Sequence, residues 1–198
     1  MIYKALDIVI IPPQPVLDLC YQLNAGLVDR RINLNPINAV PHLTLSMGVI
    51  ESADEAAITQ ALEALATKYR GLELNFASIF DAGFTTNSAC GLGIEKTDDL
   101  MNLHHDSVAL MRPYLEDYYQ PDIFADHEQG LGESCMAWVK RFYTECIEEN
   151  FDPHITIGFG DLAEIETMSF KAGHLALYQL GDYCSCRSLI GEFELSCT

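Results

Sequence analysis

Two five-residue segments of this chain share one pattern. Pro41-His42-Leu43-Thr44-Leu45 lies in the first half, and Pro153-His154-Ile155-Thr156-Ile157 follows just over half the chain length later. A single Pro-His-x-Thr is expected about 0.01 times by chance at this composition and two about 10⁻⁴ times, so the pair reads as a repeat of architecture. Imidazole titrates near pH ~6.5, so at neutral pH one histidine can be neutral and its twin protonated, a general base and a general acid. Threonine hydroxyls donate to the non-bridging oxygens of an anion. In-line displacement at phosphorus needs a base on the attacking oxygen and an acid on the leaving oxygen, and positioning and charge stabilisation provide most of the rate. Two His-Thr arms supply that set without a metal.

The pattern must sit on strands to work. Side chains alternate faces along a strand, so His42 and Thr44 share one face, and Leu43 and Leu45 the other. His154 and Thr156 likewise oppose Ile155 and Ile157. Each imidazole then lies about 7 Å from its hydroxyl along the strand, with the aliphatics buried against helices. Ser46 and Gly158 come next on the polar faces, and neither is bulky enough to keep a ligand away. One histidine beside one threonine is ordinarily structural, and the repetition is what singles these out. The prolines set the start of each strand.

The surrounding elements follow from periodicity. Tyr3 to Ile11 reads as a buried strand ending at Pro12-Pro13, and Val16, Leu17, Leu19, Cys20, Leu23, Leu27 and Val28 recur at helical spacing. Asn33-x-Asn35-Pro36 is turn chemistry, and Leu43 to Ile50 is a second strand. Ser52 with Glu55 predicts a capping box for a helix carried by Ile58, Leu62, Leu65 and Tyr69. Leu72 to Phe84 and Ala89 to Ile94 read as strands flanking Thr85-Thr86-Asn87. Thr97 caps a helix whose first turn holds Asp98 and Asp99. Pro121 to Gly132 is a polar loop, and Met136, Val139, Phe142, Tyr143, Cys146 and Ile147 form another helical face. His154 to Gly160 is a strand, and Lys171 to Leu180 pairs with Cys186 to Leu195 around Gly181-Asp182. This alternation predicts an α/β or α+β fold, and no linker or composition break divides residues 1–198.

The paired His-x-Thr segments, their preceding prolines and the strand–helix order around them resemble the two-histidine (2H) phosphoesterase superfamily, which includes 2′-5′ RNA ligase-like and cyclic phosphodiesterase proteins. The first strand and the terminal hairpin, where Leu177-Tyr178-Gln179-Leu180 leads into a turn, are also similar. The resemblance implies an α+β, bilobal domain over residues 1–198, with two pseudo-symmetric antiparallel sheets and outer helices around a central cleft. It implies hydrolysis of a 2′,3′-cyclic phosphate, or a related cyclic phosphodiester, to a phosphomonoester, with RNA ligation a minor or reverse activity in some relatives. His42 and His154 inherit the catalytic roles, and Thr44 and Thr156 the phosphate contacts; which histidine is acid and which is base stays open. No cofactor and no metal are implied.

Composition narrows the partners. Eleven Lys+Arg against 29 Asp+Glu give a net charge of −18. Duplex nucleic acid needs a basic face and an anionic membrane surface needs the same, so neither is an expected partner. Between Thr97 and Glu133 the only Lys or Arg is Arg112, which favours a small nucleotide cyclic phosphate or a short RNA end over structured RNA. No apolar run reaches the ~18 residues of a transmembrane helix, and Asp7 interrupts the N-terminal apolar stretch, against a signal peptide. Seven cysteines at irregular spacing read as reduced thiols of a cytoplasmic protein, with Cys184-x-Cys186 the one close pair and more in keeping with buried hairpin thiols than with zinc. The oligomeric state is left open.

The remaining candidates have blander readings. His104 and His105 are adjacent on a helix and point apart, against a shared metal, while His127 and His174 read as surface or hairpin residues. Tyr3, Phe159, Tyr178 and Tyr183 could stack a base but are expected to pack the core. Arg141, Lys171 and Arg187 are candidate phosphate contacts against a default of solvated charge. Trp138 is expected to anchor its helix in the core, and Asp122, Asp126 and Glu128 to form a solvated loop. A non-catalytic nucleotide- or phosphate-binding module that keeps the cleft, and a metal-dependent phosphoesterase, are the rival functions.

Overall fold

The computed structural model describes residues 1–29, 31–37, 39–81, 88–129, 133–163 and 165–195. Eight strands are described: β1 (Tyr3–Ile11), β2 (Leu43–Glu51), β3 (Leu72–Asp81), β4 (Ala89–Ile94), β5 (His154–Phe159), β6 (Ser169–Ala172), β7 (His174–Leu180) and β8 (Cys186–Glu194). Four α-helices accompany them: α1 (Gln14–Gly26), α2 (Glu55–Ala66), α3 (Asp98–Met111) and α4 (Glu133–Glu145). The end of the expected 72–84 strand, the Thr85-Thr86-Asn87 turn, the end of the 121–132 loop and Cys197 lie outside the described residues.

The strands form one antiparallel sheet in the order β6-β3-β4-β5-β2-β1-β7-β8. This corrects the expectation of two sheets. Two four-strand halves exist, but β2 and β5 join them through one residue pair, Leu43 with Ile155. Beyond that pair the strands separate, and the carbonyls they leave find partners on helices, as buried backbone groups must. The Leu45 carbonyl accepts from His104 Nδ1 of α3 at 2.8 Å, and the Ile157 carbonyl accepts from Asn24 Nδ2 of α1 at 2.8 Å. Each acceptor lies three residues past its half's motif histidine. The helix holding each strand comes from the other half of the chain, which ties the halves together.

Alternation along β1 sorts the two faces. Leu6, Ile8 and Ile10 join Leu43, Leu45, Ile155 and Ile157 in the main core, under Val16 and Cys20 of α1, Ile58 and Leu62 of α2, and Leu100 and Leu103 of α3. On the opposite face, Ala5, Met47, Val49 and Leu180 pack against Val139 and Phe142 of α4. The helices α1 to α3 thus back one face, and α4 covers one end of the other. The His-Thr side chains occupy what α4 leaves open.

Local signals succeeded and failed for identifiable reasons. Thr97 caps α3 as expected, its Oγ1 accepting from Leu100 N. The capping box at Ser52 does not form: Ser52–Asp54 is a 3₁₀ turn, α2 begins at Glu55, and Glu55 pairs with Lys4 of β1 at 2.7 Å. The expected 171–180 strand is two strands, β6 and β7, which break at Gly173 and pair with β3 and β1 at opposite sides of the sheet. Trp138 is exposed, with the Arg141 guanidinium over its ring, while Cys135, Val139 and Phe142 supply the buried face of α4. Asp126 is buried, pairs with Arg187 and accepts from Asp182 N at 3.0 Å, so this acid is part of the interior and not of a solvated loop. All six described cysteines are free thiols.

Candidate active site

The two motifs meet at the seam of the sheet. With Leu43 paired to Ile155, the antiparallel register sets His42 level with Thr156 and Thr44 level with His154. Leu43, Leu45, Ile155 and Ile157 are fully buried among the helices, whereas all four polar residues are partly accessible on the other face. The sheet therefore assembles two imidazoles and two hydroxyls in a diagonal arrangement, each imidazole facing the other arm's threonine.

Both imidazoles are oriented the same way. His42 Nδ1 lies 2.8 Å from the carbonyl of Val40, and His154 Nδ1 lies 2.7 Å from the carbonyl of Asp152, each two residues earlier in the chain. A carbonyl only accepts, so Nδ1 carries the proton in both rings and Nε2 is left for chemistry. The proline of each motif sits between histidine and carbonyl, holding the backbone extended where the imidazole can fold back onto it.

Their surroundings push both histidines the same way. Burial lowers His42 to about 4; its bond to Val40 works against this, and a charge on His154 would lower it further. Burial also lowers His154, opposed by the Asp152 carbonyl and carboxylate. Burial therefore favours the neutral form of both imidazoles in the free protein, because a largely covered imidazole loses hydration that favours its charged form. A bound anion would restore that preference.

The arms differ in their neighbours. In the first, Thr44 Oγ1 donates to Asp7 Oδ2 at 2.8 Å, and His42 Nε2 lies 3.8 Å from the same oxygen. Asp7, on β1, is wholly buried, and its Oδ1 has no hydrogen-bond partner among the described residues. Burial drives its carboxyl well above the usual range, against the Thr44 hydrogen bond. Asp7 Oδ, a ring nitrogen of His42 and Cys186 Sγ all lie within 4.8 Å of one another. In the second arm Gly91 and Gly93 of β4 stand beside Thr156 and His154. A Cβ on Gly91 would collide with the Ile155 carbonyl, and one on Gly93 would meet Ser78 Oγ at 2.9 Å. Across these bare positions Phe80 of β3 stacks parallel on the His154 ring, centroids 3.8 Å apart.

Asp7, Phe80 and the two glycines were not singled out from sequence. A lone acid inside Ala5-Leu6-Asp7-Ile8-Val9 is the signal for Asp7, since an unpaired buried carboxyl is too costly to be incidental. The alternating Gly91-Leu92-Gly93 marks a strand face stripped for close approach.

The other candidates sit elsewhere. Ser46 is buried and bonded to Tyr143 Oη at 2.6 Å, and Gly158 is packed against Leu27 and Asn24, so neither opens the cleft as expected. Arg187 is taken up by Asp126, Arg141 pairs with Glu145, and Lys171 lies on the edge strand β6. Tyr3 stacks on Tyr118, Tyr178 is buried, and Phe159 is covered by the Arg31 guanidinium with Tyr183 at its edge. His104 is fully buried and stacked on Phe151; it is lowered to about 4 by burial and accepts from Glu148 N at Nε2. His127 bonds the Phe124 carbonyl, and His174 faces Glu192. A depression of ≈ 520 Å³ along α3, bordered by Met101, His105 and Arg112, is lined by none of the four motif residues.

One continuous antiparallel sheet of two four-strand halves, with helices α1 to α3 behind it and a His-x-Thr strand from each half at the seam, is a LigT-like fold. Its similarity to solved structures spans nearly the whole length. TT0787 of Thermus thermophilus superposes with a TM-score of 0.60 at 15% identity over 97% of this chain and 98% of that one. E. coli LigT complexed with ATP gives 0.56 at 15% identity over 100% of both chains, and LigT complexed with 3′-AMP gives 0.53 at 17% over 98% and 99%. A structure described as a phosphoesterase gives 0.51 at 16% over 98% and 99%. No protein-family model and no curated protein matches the sequence. Among the described residues no helix is long and apolar enough to cross a membrane.

Proposed function

We propose that residues 1–198 act as one bilobal, metal-independent cyclic phosphodiesterase that opens a 2′,3′-cyclic phosphate, or a related cyclic phosphodiester, of a nucleotide or short RNA end. The observation that carries this reading is the matched pair of imidazoles, each with Nδ1 tied to the carbonyl two residues back and Nε2 left over, at the seam where β2 meets β5. LigT's complexes with ATP and 3′-AMP agree with a small nucleotide ligand, as does a net charge of −18.

The cyclic phosphate lies between the arms, its non-bridging oxygens at Thr44 and Thr156. His42 is the base, because its cover and the charge of His154 both oppose its protonation. Its Nε2 takes a proton from water as the water oxygen bonds phosphorus. His154 is the acid, helped to its proton by Asp152. Its Nε2 gives that proton to the ribose oxygen as the ring P–O bond breaks. One proton enters, one leaves, and the product is a phosphomonoester.

Asp7 is a positioning residue. A carboxylate so near an anion would repel it, but burial raises the Asp7 carboxyl well above its usual range and so favours the neutral acid. In the free protein Thr44 Oγ1 donates to Asp7 Oδ2; on anion binding the neutral acid donates to Thr44 Oγ1 instead, which frees the threonine proton for phosphate. The neutral acid thereby aims the hydroxyl.

The test is turnover of nucleoside 2′,3′-cyclic phosphates with EDTA present. Product formed at full rate supports the reading. Binding without turnover assigns the chain to the nucleotide-binding modules, and activity lost on chelation assigns it to metal-dependent phosphoesterases.

A further inference from the structure

The first arm contains three potential ligand atoms that the reaction does not need together. Asp7 Oδ, a ring nitrogen of His42 and Cys186 Sγ lie within 4.8 Å of one another, and His42 Nε2 is 3.8 Å from Asp7 Oδ2. Ligand atoms around a tetrahedral zinc are about 3.3–3.6 Å apart, given its usual bond lengths. Small side-chain rotations therefore close the set around an ion.

Three further features fit a cation. His42 Nδ1 bonds the Val40 carbonyl, the outer contact that metal-binding histidines ordinarily make, and it leaves Nε2 as the ligand atom. Asp7 Oδ1 is buried without any hydrogen-bond partner among the described residues, a cost that an ion would remove. Carboxylate and thiolate together cancel a divalent charge, so the filled site would be neutral in an interior that tolerates no net charge. The short β-bridge between Val40 and Cys186 brings the start of β8 against the segment that leads into the first motif.

We propose that Asp7, His42 and Cys186 form a site for a thiophilic divalent cation of the zinc type, and that its occupancy switches the enzyme off. The ion takes the lone pair of His42 Nε2, the pair that accepts the proton from water. Binding displaces the Asp7 and thiol protons, and water from the cleft fills the fourth position. The inhibitory half of this inference rests on the cyclic phosphodiesterase reading; the binding half does not.

The experiment uses the full chain, freed of metal and titrated with Co²⁺. A thiolate-to-cobalt charge-transfer band in the near ultraviolet, with the strong visible absorption of a tetrahedral ion, is expected, and Zn²⁺ should displace it. Cys186→Ala should abolish the band. Loss of an outer contact alone costs 10–100-fold in affinity, so loss of this ligand should weaken zinc binding at least ~10-fold. In the activity arm, Zn²⁺ should reduce turnover to background, EDTA should restore it, and Cys186→Ala should keep basal turnover while resisting zinc. A second variant, Asp7→Asn, should also weaken the cobalt band, which guards against misfolding of the first. Absence of the band, its persistence in both variants, or stimulation by zinc overturns the proposal. A chain that shows the band yet turns over no cyclic phosphate defeats the functional reading and leaves the metal site standing.

Discussion

The two arms of the site share a motif and differ in what stands beside it. Around His42 and Thr44 the neighbouring strand offers a buried acid, and the hairpin offers a thiol. Around His154 and Thr156 it offers two glycines and the face of Phe80. Backbone logic is common to both: imidazole to the carbonyl two residues back, strand carbonyl three residues on to a helix side chain of the other half. The polar hardware is not. Pseudo-symmetry thus sets where the motif side chains sit, and the flanking strands set what surrounds each. An arm lined by a dischargeable acid can aim a hydroxyl, while an arm lined by glycine and an aromatic can tune only its imidazole.

The largest effect tests whether both arms react. His42→Ala and His154→Ala should each lower kcat by at least ~10²-fold, the scale of acid–base catalysis; full activity in either variant would remove that arm from the mechanism.

Replacing the threonines separates the arms. Thr44→Val and Thr156→Val should both raise KM about tenfold or more, the worth of a hydrogen bond to a charged group, with little change in pH optimum. Only Thr44→Val should also lose stability, by about 1–3 kcal/mol, because it removes a hydrogen bond to the buried Asp7 carboxyl. Thr156 makes no such bond among the described residues. Denaturant melts of the pair would show equal stability if the asymmetry were unimportant.

The pH dependence is next in size. Both motif histidines and His104 titrate below their ordinary value in the folded state. The unfolded chain then binds more protons, so stability is present above pH ~6.5 and is lost as pH falls toward about 4. Asp7 is raised, so its contribution runs the other way, falling as pH rises above ~3.9. Asp7→Asn should therefore steepen the acid loss of stability, and an unchanged slope would contradict the raised carboxyl. For the same reason kcat/KM should follow a bell with its maximum on the acid side of ~6.5; a monotonic curve would count against paired imidazoles.

The smallest effect is confined to one arm. Phe80→Leu should raise the His154 titration midpoint toward its ordinary value and leave His42 in place, as read by proton resonances of the two rings. Equal movement of both would mean that Phe80 does not act on His154 alone.

Much of this is legible in the amino-acid sequence. Alternation within Pro-His-x-Thr-x placed imidazole and hydroxyl on one face, and Thr97 with its two acids marked the start of α3, because both signals depend only on neighbours in the chain. The failures involved distant partners. Ser52 and Glu55 have the spacing of a capping box, but Lys4 takes Glu55. Lys171 to Leu180 reads as one strand, but β3 and β1 claim its two pieces. Trp138 has the size of an anchor, yet Cys135, Val139 and Phe142 face the core.

The sequence by itself determined that two matched arms exist, which atoms they bring and that acidic residues far outnumber basic ones, since composition and a period of two need no third dimension. Tertiary structure alone decided that the arms meet through Leu43 and Ile155, that both imidazoles resist protonation, and that Asp7 and Cys186 stand behind only one of them. Those outcomes depend on burial and on register between strands far apart in sequence, which set the desolvation and the contacts that decide a group's charge.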